Sequence, residues 1–146
     1  EIPKIVLEDF KKTDMVIHAG DLVDSRVLEE LKNSCKDVRA VCGNMDSSEM
    51  QMKLAKKLFI KTGGHKIGVM HGFGHPNKLI DLLEEEFKGE GCGLIIFGHS
   101  HCATKERRGS TLYFNPGSPT DKMFCEYNSY GIIEINDIIE AKIIRI

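Results

Sequence analysis

Asp14-Met15-Val16-Ile17-His18-Ala19-Gly20-Asp21-Leu22-Val23-Asp24-Ser25-Arg26-Val27-Leu28 is the stretch whose reading decides the fold. Its first part is a short apolar run that stops at Gly20, the pattern of a buried strand. Asp24-Ser25-Arg26 then opens a helix reaching about Asn33, with Val27, Leu28 and Leu31 on one face. Strand, polar loop and helix in that order build parallel sheets with helical crossovers.

The unit recurs on both sides of this stretch. Ile2 to Lys12 has near-helical spacing of Ile2, Ile5, Val6, Leu7 and Phe10, with Pro3 in the first turn. Val38 to Val41 reads as a second short strand ending at Gly43, and Ser47 or Ser48 caps a short helix holding Met50, Met52 and Leu54. Leu58–Lys61 and Lys66–Met70 flank Thr62-Gly63-Gly64-His65, a hairpin signal. A helix is predicted over Leu79–Phe87, a buried strand over Leu94–Phe97, and a second hairpin over Ala103–Arg107 and Thr111–Phe114. Two strands, Tyr130–Ile135 and Ile139–Arg145, close the chain. The expected fold is α/β: two packed mixed sheets with helices outside, an αββα sandwich in one domain spanning 1–146.

The chain has 146 residues, 41% hydrophobic and 29% charged, which suits one globular domain with a real core. A formal net charge of −2 argues against general attraction to nucleic acid, which needs cationic side chains. Lys105, Arg107 and Arg108 are read as a solvated charge cluster. The five cysteines (Cys35, Cys42, Cys92, Cys102, Cys125) are odd in number, scattered and free of CxxC, so reduced thiols are expected. No run of about 18 apolar residues suggests a membrane span. No stretch reads as a secretory leader, and a cytoplasmic location is expected.

Four polar signatures stand where strand-like runs end: Gly20-Asp21-Leu22-Val23-Asp24, Gly43-Asn44-Met45-Asp46, Met70-His71-Gly72 and Gly98-His99-Ser100-His101. They offer carboxylate and amide oxygens and imidazole nitrogens, with no cysteine required. That mixture suits Mn, Fe, Ni or Zn. Two such ions about 3.5–4 Å apart activate water and clamp a phosphoryl group. His99 and His101 are two apart, so an extended segment points both to one side and Ser100 away. Taken singly, Gly-Asp and Gly-Asn are common turn signals. His18 reads as a satisfied core histidine, His65 as a hairpin residue, and Met50 with Met52 as packing. His75 reads either as a surface-loop residue or as a phosphate contact.

The order and form of the four signatures resemble the calcineurin-like metallophosphoesterases, above all the short bacterial and archaeal phosphodiesterases. The resemblance implies the same αββα sandwich. It implies that Asp21 bridges two divalent metals, that Asn44, His71 and His99 complete one shell, and that His101 belongs to the other. The second metal of that family also takes an Asp and a His from a D-x-H motif at the end of the first strand, which this sequence lacks. Since the chain begins at Glu1, an upstream strand carrying that motif is expected, and the domain is read as N-terminally incomplete. The larger family often has His where Met45 stands, so an obvious general acid is missing. Asp46 is left to hold a neighbouring His or receive a proton. A His often follows the family's His-Gly pair; here Phe73 does, and His75 is the candidate to act near phosphate. Asn115-Pro116-Gly117-Ser118-Pro119 matches the family's Asn-Pro-Gly-Ser segment, a rigid turn that buttresses the site.

The expected function is a metal-dependent phosphodiesterase or phosphatase that hydrolyses small phosphodiesters by a metal-activated hydroxide. Asn44, Asp46 and His75 are the catalytic candidates; Asp21, Asn44, His71, His99 and His101 are the metal candidates. The cofactors are two divalent ions, Mn, Ni, Fe or Zn, an identity the sequence leaves open; manganese is among them. Without an acid, good leaving groups such as aryl alcohols are favoured. Cyclic nucleotides, other small phosphodiesters and phosphomonoesters all remain open as substrates. A small phosphoester is the expected partner, with no nucleic-acid patch and no membrane; a homo-oligomer is compatible. The alternative is a catalytically weak or inactive protein-interaction scaffold, as in the retromer subunit of this fold. The intact ligand set favours the enzyme.

Overall fold

The computed structural model describes all of residues 1–146. Four α-helices, α1 (Lys4–Phe10), α2 (Ser25–Ser34), α3 (Ser48–Lys53) and α4 (Leu79–Glu86), alternate with nine strands. The strands are β1 (Val16–His18), β2 (Val38–Ala40), β3 (Lys57–Thr62), β4 (His65–Met70), β5 (Leu94–Ile96), β6 (Thr104–Arg108), β7 (Thr111–Asn115), β8 (Ser129–Ile135) and β9 (Ile139–Arg145). Asp24 caps α2 by accepting the Arg26 N–H at 2.9 Å, and Ser47, not Ser48, caps α3. Gly63 and Gly64 carry the β3–β4 turn with φ of 57° and 79°, as a two-residue type I′ hairpin requires.

The central sheet runs β3-β4-β5-β7-β6. Its middle strands β4, β5 and β7 are parallel, and β3 and β6 are antiparallel hairpin partners at the edges. Period-two alternation divides its side chains cleanly. Ile67, Val69, Leu94, Ile96, Leu112 and Phe114 face the inner core, while Ile95, Phe97 and Tyr113 pack under Leu79, Leu83 and Phe87 of the outer layer. The opposite layer also sorts by alternation. Ile17 of β1 and Ile139, Ala141 and Ile143 of β9 join the inner core, whereas Val16 joins Leu31 of α2 and Met50 of α3. Helices, sheet, sheet and helix therefore stack as an αββα sandwich.

The expectation of two mixed sheets changes in one respect. The second layer is two separate pairs, β1–β2 parallel and β8–β9 antiparallel, because β1 shares a hydrogen-bond ladder with β2 alone. One further expectation is corrected. Cys102 and Cys125 form a disulfide with Cα atoms 5.4 Å apart, while Cys35, Cys42 and Cys92 are free and buried. The pair is 23 residues apart in sequence, and only the fold of residues 116–128 brings Cys125 back. The basic cluster is a surface charge cluster, as read, and Arg108 in it is paired. Arg108 bonds Asp81, Glu106 and Glu84 at 2.6, 2.7 and 3.4 Å, and Lys105 donates to the Ala141 carbonyl at 2.7 Å. No helix is long and apolar enough to cross a membrane.

Candidate metal centre

Asp21 follows β1, Asn44 follows β2, His71 follows β4, and His99 and His101 follow β5. Each lies in the loop past the carboxyl end of a parallel strand, the place where such sheets converge their loops. The first two loops are clasped reciprocally. The buried Asp46 carboxylate (5% exposed) accepts the N–H groups of Gly43, Val23 and Asp21 at 2.7, 2.9 and 3.2 Å. In return, Asp21 Oδ1 accepts the Met45 N–H at 2.7 Å. Gly43 lies so close that a Cβ there would strike the Asp21 carboxylate, and a Cβ on Gly20 would come within 2.6 Å of His71 Nδ1.

With Oδ1 engaged, Asp21 Oδ2 faces His71 Nε2 at 3.2 Å and His101 Nε2 at 3.8 Å. Asn44 Oδ1 lies 2.9 Å from the same His71 nitrogen. His71 packs edge-on against His99, with ring centroids 5.4 Å apart. The five metal candidates thus form one linked group, with Asp21 and His71 at its centre.

The other ring nitrogen of each histidine has a protein acceptor. His71 Nδ1 lies 2.7 Å from the Ala19 carbonyl, His99 Nε2 lies 2.8 Å from the Gly74 carbonyl, and His101 Nδ1 lies 3.3 Å from Asp121 Oδ1. A carbonyl or carboxylate only accepts, so each of these contacts is a hydrogen bond when that nitrogen carries the ring's proton. In that tautomer the opposite nitrogen keeps its lone pair. Burial pushes the His71 pKa down, against the pull of the Ala19 carbonyl and Asp21, so at neutral pH the ring carries one proton. With that proton on Nδ1, the Nε2 lone pair faces two oxygens, Asn44 Oδ1 and Asp21 Oδ2, an acceptor cluster that a cation would satisfy.

Backbone strain gathers at the same place. Asp21, Val23, His99 and His101 are the non-glycine residues with positive φ, at 58°, 62°, 68° and 63°. Such conformations cost about 1–3 kcal/mol each and persist where the surroundings over-determine them. Asn115, 1% exposed, braces the histidine loop by donating from Nδ2 to the Gly98 carbonyl and Ser100 Oγ, both at 3.0 Å.

Two of the catalytic candidates are placed differently from the sequence expectation. Asp46 holds backbone N–H groups rather than a histidine, so its carboxylate is engaged in shaping the loops. His75 is exposed and caps a short 3-10 turn at Pro76–Lys78 by accepting the Asn77 N–H at 3.1 Å. Asn44, the third, stands among the metal candidates. His18 accepts the Gly20 N–H at 3.1 Å, and His65 bonds the Asn136 carbonyl at 2.9 Å. Sequence reading missed Asp121. It lies just past the Asn-Pro-Gly-Ser segment, and only the return of residues 118–128 to the site reveals it.

The donor set fits a hard-to-borderline divalent ion: one carboxylate, one amide carbonyl and three imidazoles. No three His, Cys, Asp or Glu side chains form a ready-made cage about one point, and the Asn44 carbonyl is needed alongside Asp21 and His71.

Comparison with known proteins gives a consistent picture. The family model for the calcineurin-like phosphoesterase superfamily domain matches residues 1–138. A probable metallophosphoesterase of Methanocaldococcus jannaschii is 36% identical over 150 residues, covering 100% of this chain and 73% of that protein. The phosphodiesterase YfcE of Escherichia coli is 30% identical over 131 residues, covering 80% of this chain and 62% of that protein. Among solved structures, Vps29 of Chaetomium thermophilum superposes with a TM-score of 0.82 at 18% identity, covering 100% of this chain and 88% of that one.

Proposed function

The chain belongs to the calcineurin-like phosphoesterase superfamily, and from that premise we propose that it hydrolyses small phosphodiesters with the help of two divalent metal ions. The observation that carries this reading is the arrangement of the three histidines. Each has one ring nitrogen against a protein acceptor, so that a proton held there leaves the other as a lone-pair donor; His71 and His101 face the Asp21 carboxylate and His99 packs against His71. Asp21 would serve both ions; Asn44, His71 and His99 would hold one, and His101 would contribute to the other. Bound there, divalent metal supplies Lewis acidity, which acidifies water and draws charge from the phosphoryl oxygens.

The protein's own groups supply position. The Asp46 clasp fixes Asp21, and the Ala19 and Gly74 carbonyls and Asp121 fix the ring orientations. Met45 and Phe73 stand exposed beside the site and offer no proton to a leaving group. Substrates whose leaving group needs no acid, such as aryl phosphodiesters, therefore suit it best.

The test uses metal-stripped protein reloaded with Mn, Zn, Ni or Fe(II), assayed on an aryl phosphodiester and its monoester. Metal-dependent cleavage faster on the diester, lost in Asp21→Ala, is expected. Protein that binds the metals yet cleaves neither ester sinks the reading in favour of a scaffold.

A further inference from the structure

The three histidines differ in what stands behind them. His71 and His99 are backed by neutral backbone carbonyls, whereas His101 is backed by a carboxylate, Asp121. The Asp121 side chain is 8% exposed and its two oxygens have divided duties. Oδ2 accepts the N–H groups of Phe124, Met123 and Cys125 at 2.9, 3.3 and 3.3 Å. Oδ1 is left to meet His101 Nδ1.

The surrounding loop is fixed at several points. The Asp121 N–H donates to Ser118 Oγ at 3.0 Å, and its carbonyl accepts from Asn128 Nδ2. The Cys102–Cys125 disulfide joins the loop to the residue beside His101. The Phe124 ring packs edge-on against His101, centroids 5.6 Å apart. A carboxylate so anchored cannot follow the imidazole; the imidazole must follow it.

We propose that Asp121 is a positioning residue of the metal centre, holding His101 as the Nδ1–H tautomer so that Nε2 is presented beside Asp21 Oδ2. This deepens the function proposed above and rests on it. A carboxylate behind a ligating imidazole makes it a stronger donor than a carbonyl does, and loss of such a partner typically lowers metal affinity 10–100-fold. The effect belongs to the ion that His101 serves and leaves the His71/His99 side largely unchanged.

The experiment compares wild type, Asp121→Ala and Asp121→Asn by two measurements. Long-range proton–nitrogen NMR of the metal-free protein reports the His101 tautomer, and calorimetric titration with Mn2+ reports affinity at each site. Wild type is expected to show the Nδ1–H form. Asp121→Ala should mix the tautomers and weaken one Mn2+ site about 10–100-fold. Asp121→Asn keeps a carbonyl acceptor and should recover the tautomer and most of the affinity. Unchanged tautomer and affinity in Asp121→Ala overturns the proposal. So does an Asn variant that recovers neither while its loop amide signals stay in place. Wild type that binds no Mn2+ overturns the functional reading instead, and the metal-free tautomer still decides the role of Asp121.

Discussion

Asp21 divides its carboxylate: one oxygen is committed to the Met45 N–H, and the other faces two imidazoles. Asp21→Ala removes the group common to both proposed ions. Its kcat/KM on an aryl phosphodiester should fall by about 10²–10³-fold or more. His99→Ala and His101→Ala should lose less, each emptying one site by metal analysis; equal losses in all three would remove the special place of Asp21. His18 offers a second residue-scale outcome. Burial pushes its pKa from 6.5 down to about 4, against the upward pull of Asp46 and with a smaller push from His71. Above pH 6.5 neither folded nor unfolded chain protonates it, and its contribution to stability is whole. As pH falls from 6.5 towards 4 the unfolded chain takes up the proton first, so stability drops by up to about 3 kcal/mol. His18→Gln should flatten that slope in urea unfolding measured from pH 7.5 to 4. An unaltered slope assigns the loss to other groups.

At the scale of elements, the loop after β1 and the loop after β2 act as one piece. Asp46 satisfies three N–H groups and Asp21 returns one bond. Asp46→Ala orphans those donors, each worth about 1–3 kcal/mol when left buried and unpaired. The metal-free protein should lose at least about 1–3 kcal/mol of stability in urea, the share of the fully buried Gly43 N–H alone. Mn2+ affinity should fall with it, because Asp21 and the strained Val23 lose their anchor. Asp46→Ala with intact Mn2+ affinity would show that the clasp serves folding alone. Gly43→Ala tests the same joint from the other side, since its methyl group would displace the Asp21 carboxylate.

For the whole molecule, the sandwich brings β1–β2 and the central sheet to a common edge, so the candidate metal centre spans both layers. Ions bound there link the layers and should stabilise the fold by mass action. At a free concentration 100 times Kd the gain is about 2.7 kcal/mol. For a chain of this size that raises Tm by roughly 5–10 °C. Calorimetry of protein stripped with chelator and then reloaded checks it. The rise should vanish in Asp21→Ala; a rise that survives there places the stabilising ion elsewhere.

The sequence by itself determined the element order, the αββα architecture and the group of five metal candidates. Those features are local: apolar runs of period two, helical faces of period 3.6, and polar residues placed just past strand ends. The β3–β4 hairpin was legible because Gly63-Gly64 permits the required φ > 0, and the second hairpin from the turn at Arg108-Gly109-Ser110. Tertiary structure alone decided the partners of those groups. Asp46 was read as a catalytic candidate that holds a neighbouring His or receives a proton, yet its carboxylate is engaged by three N–H groups from two loops. His75 was read as either a surface-loop residue or a phosphate contact, and it stands exposed, capping a turn. Cys102 found Cys125, and His101 found Asp121, across 23 and 20 residues. Periodicity reports which face a residue presents, but a hydrogen bond or disulfide depends on angstrom-scale approach between distant segments. That approach is set only when both sheets have packed.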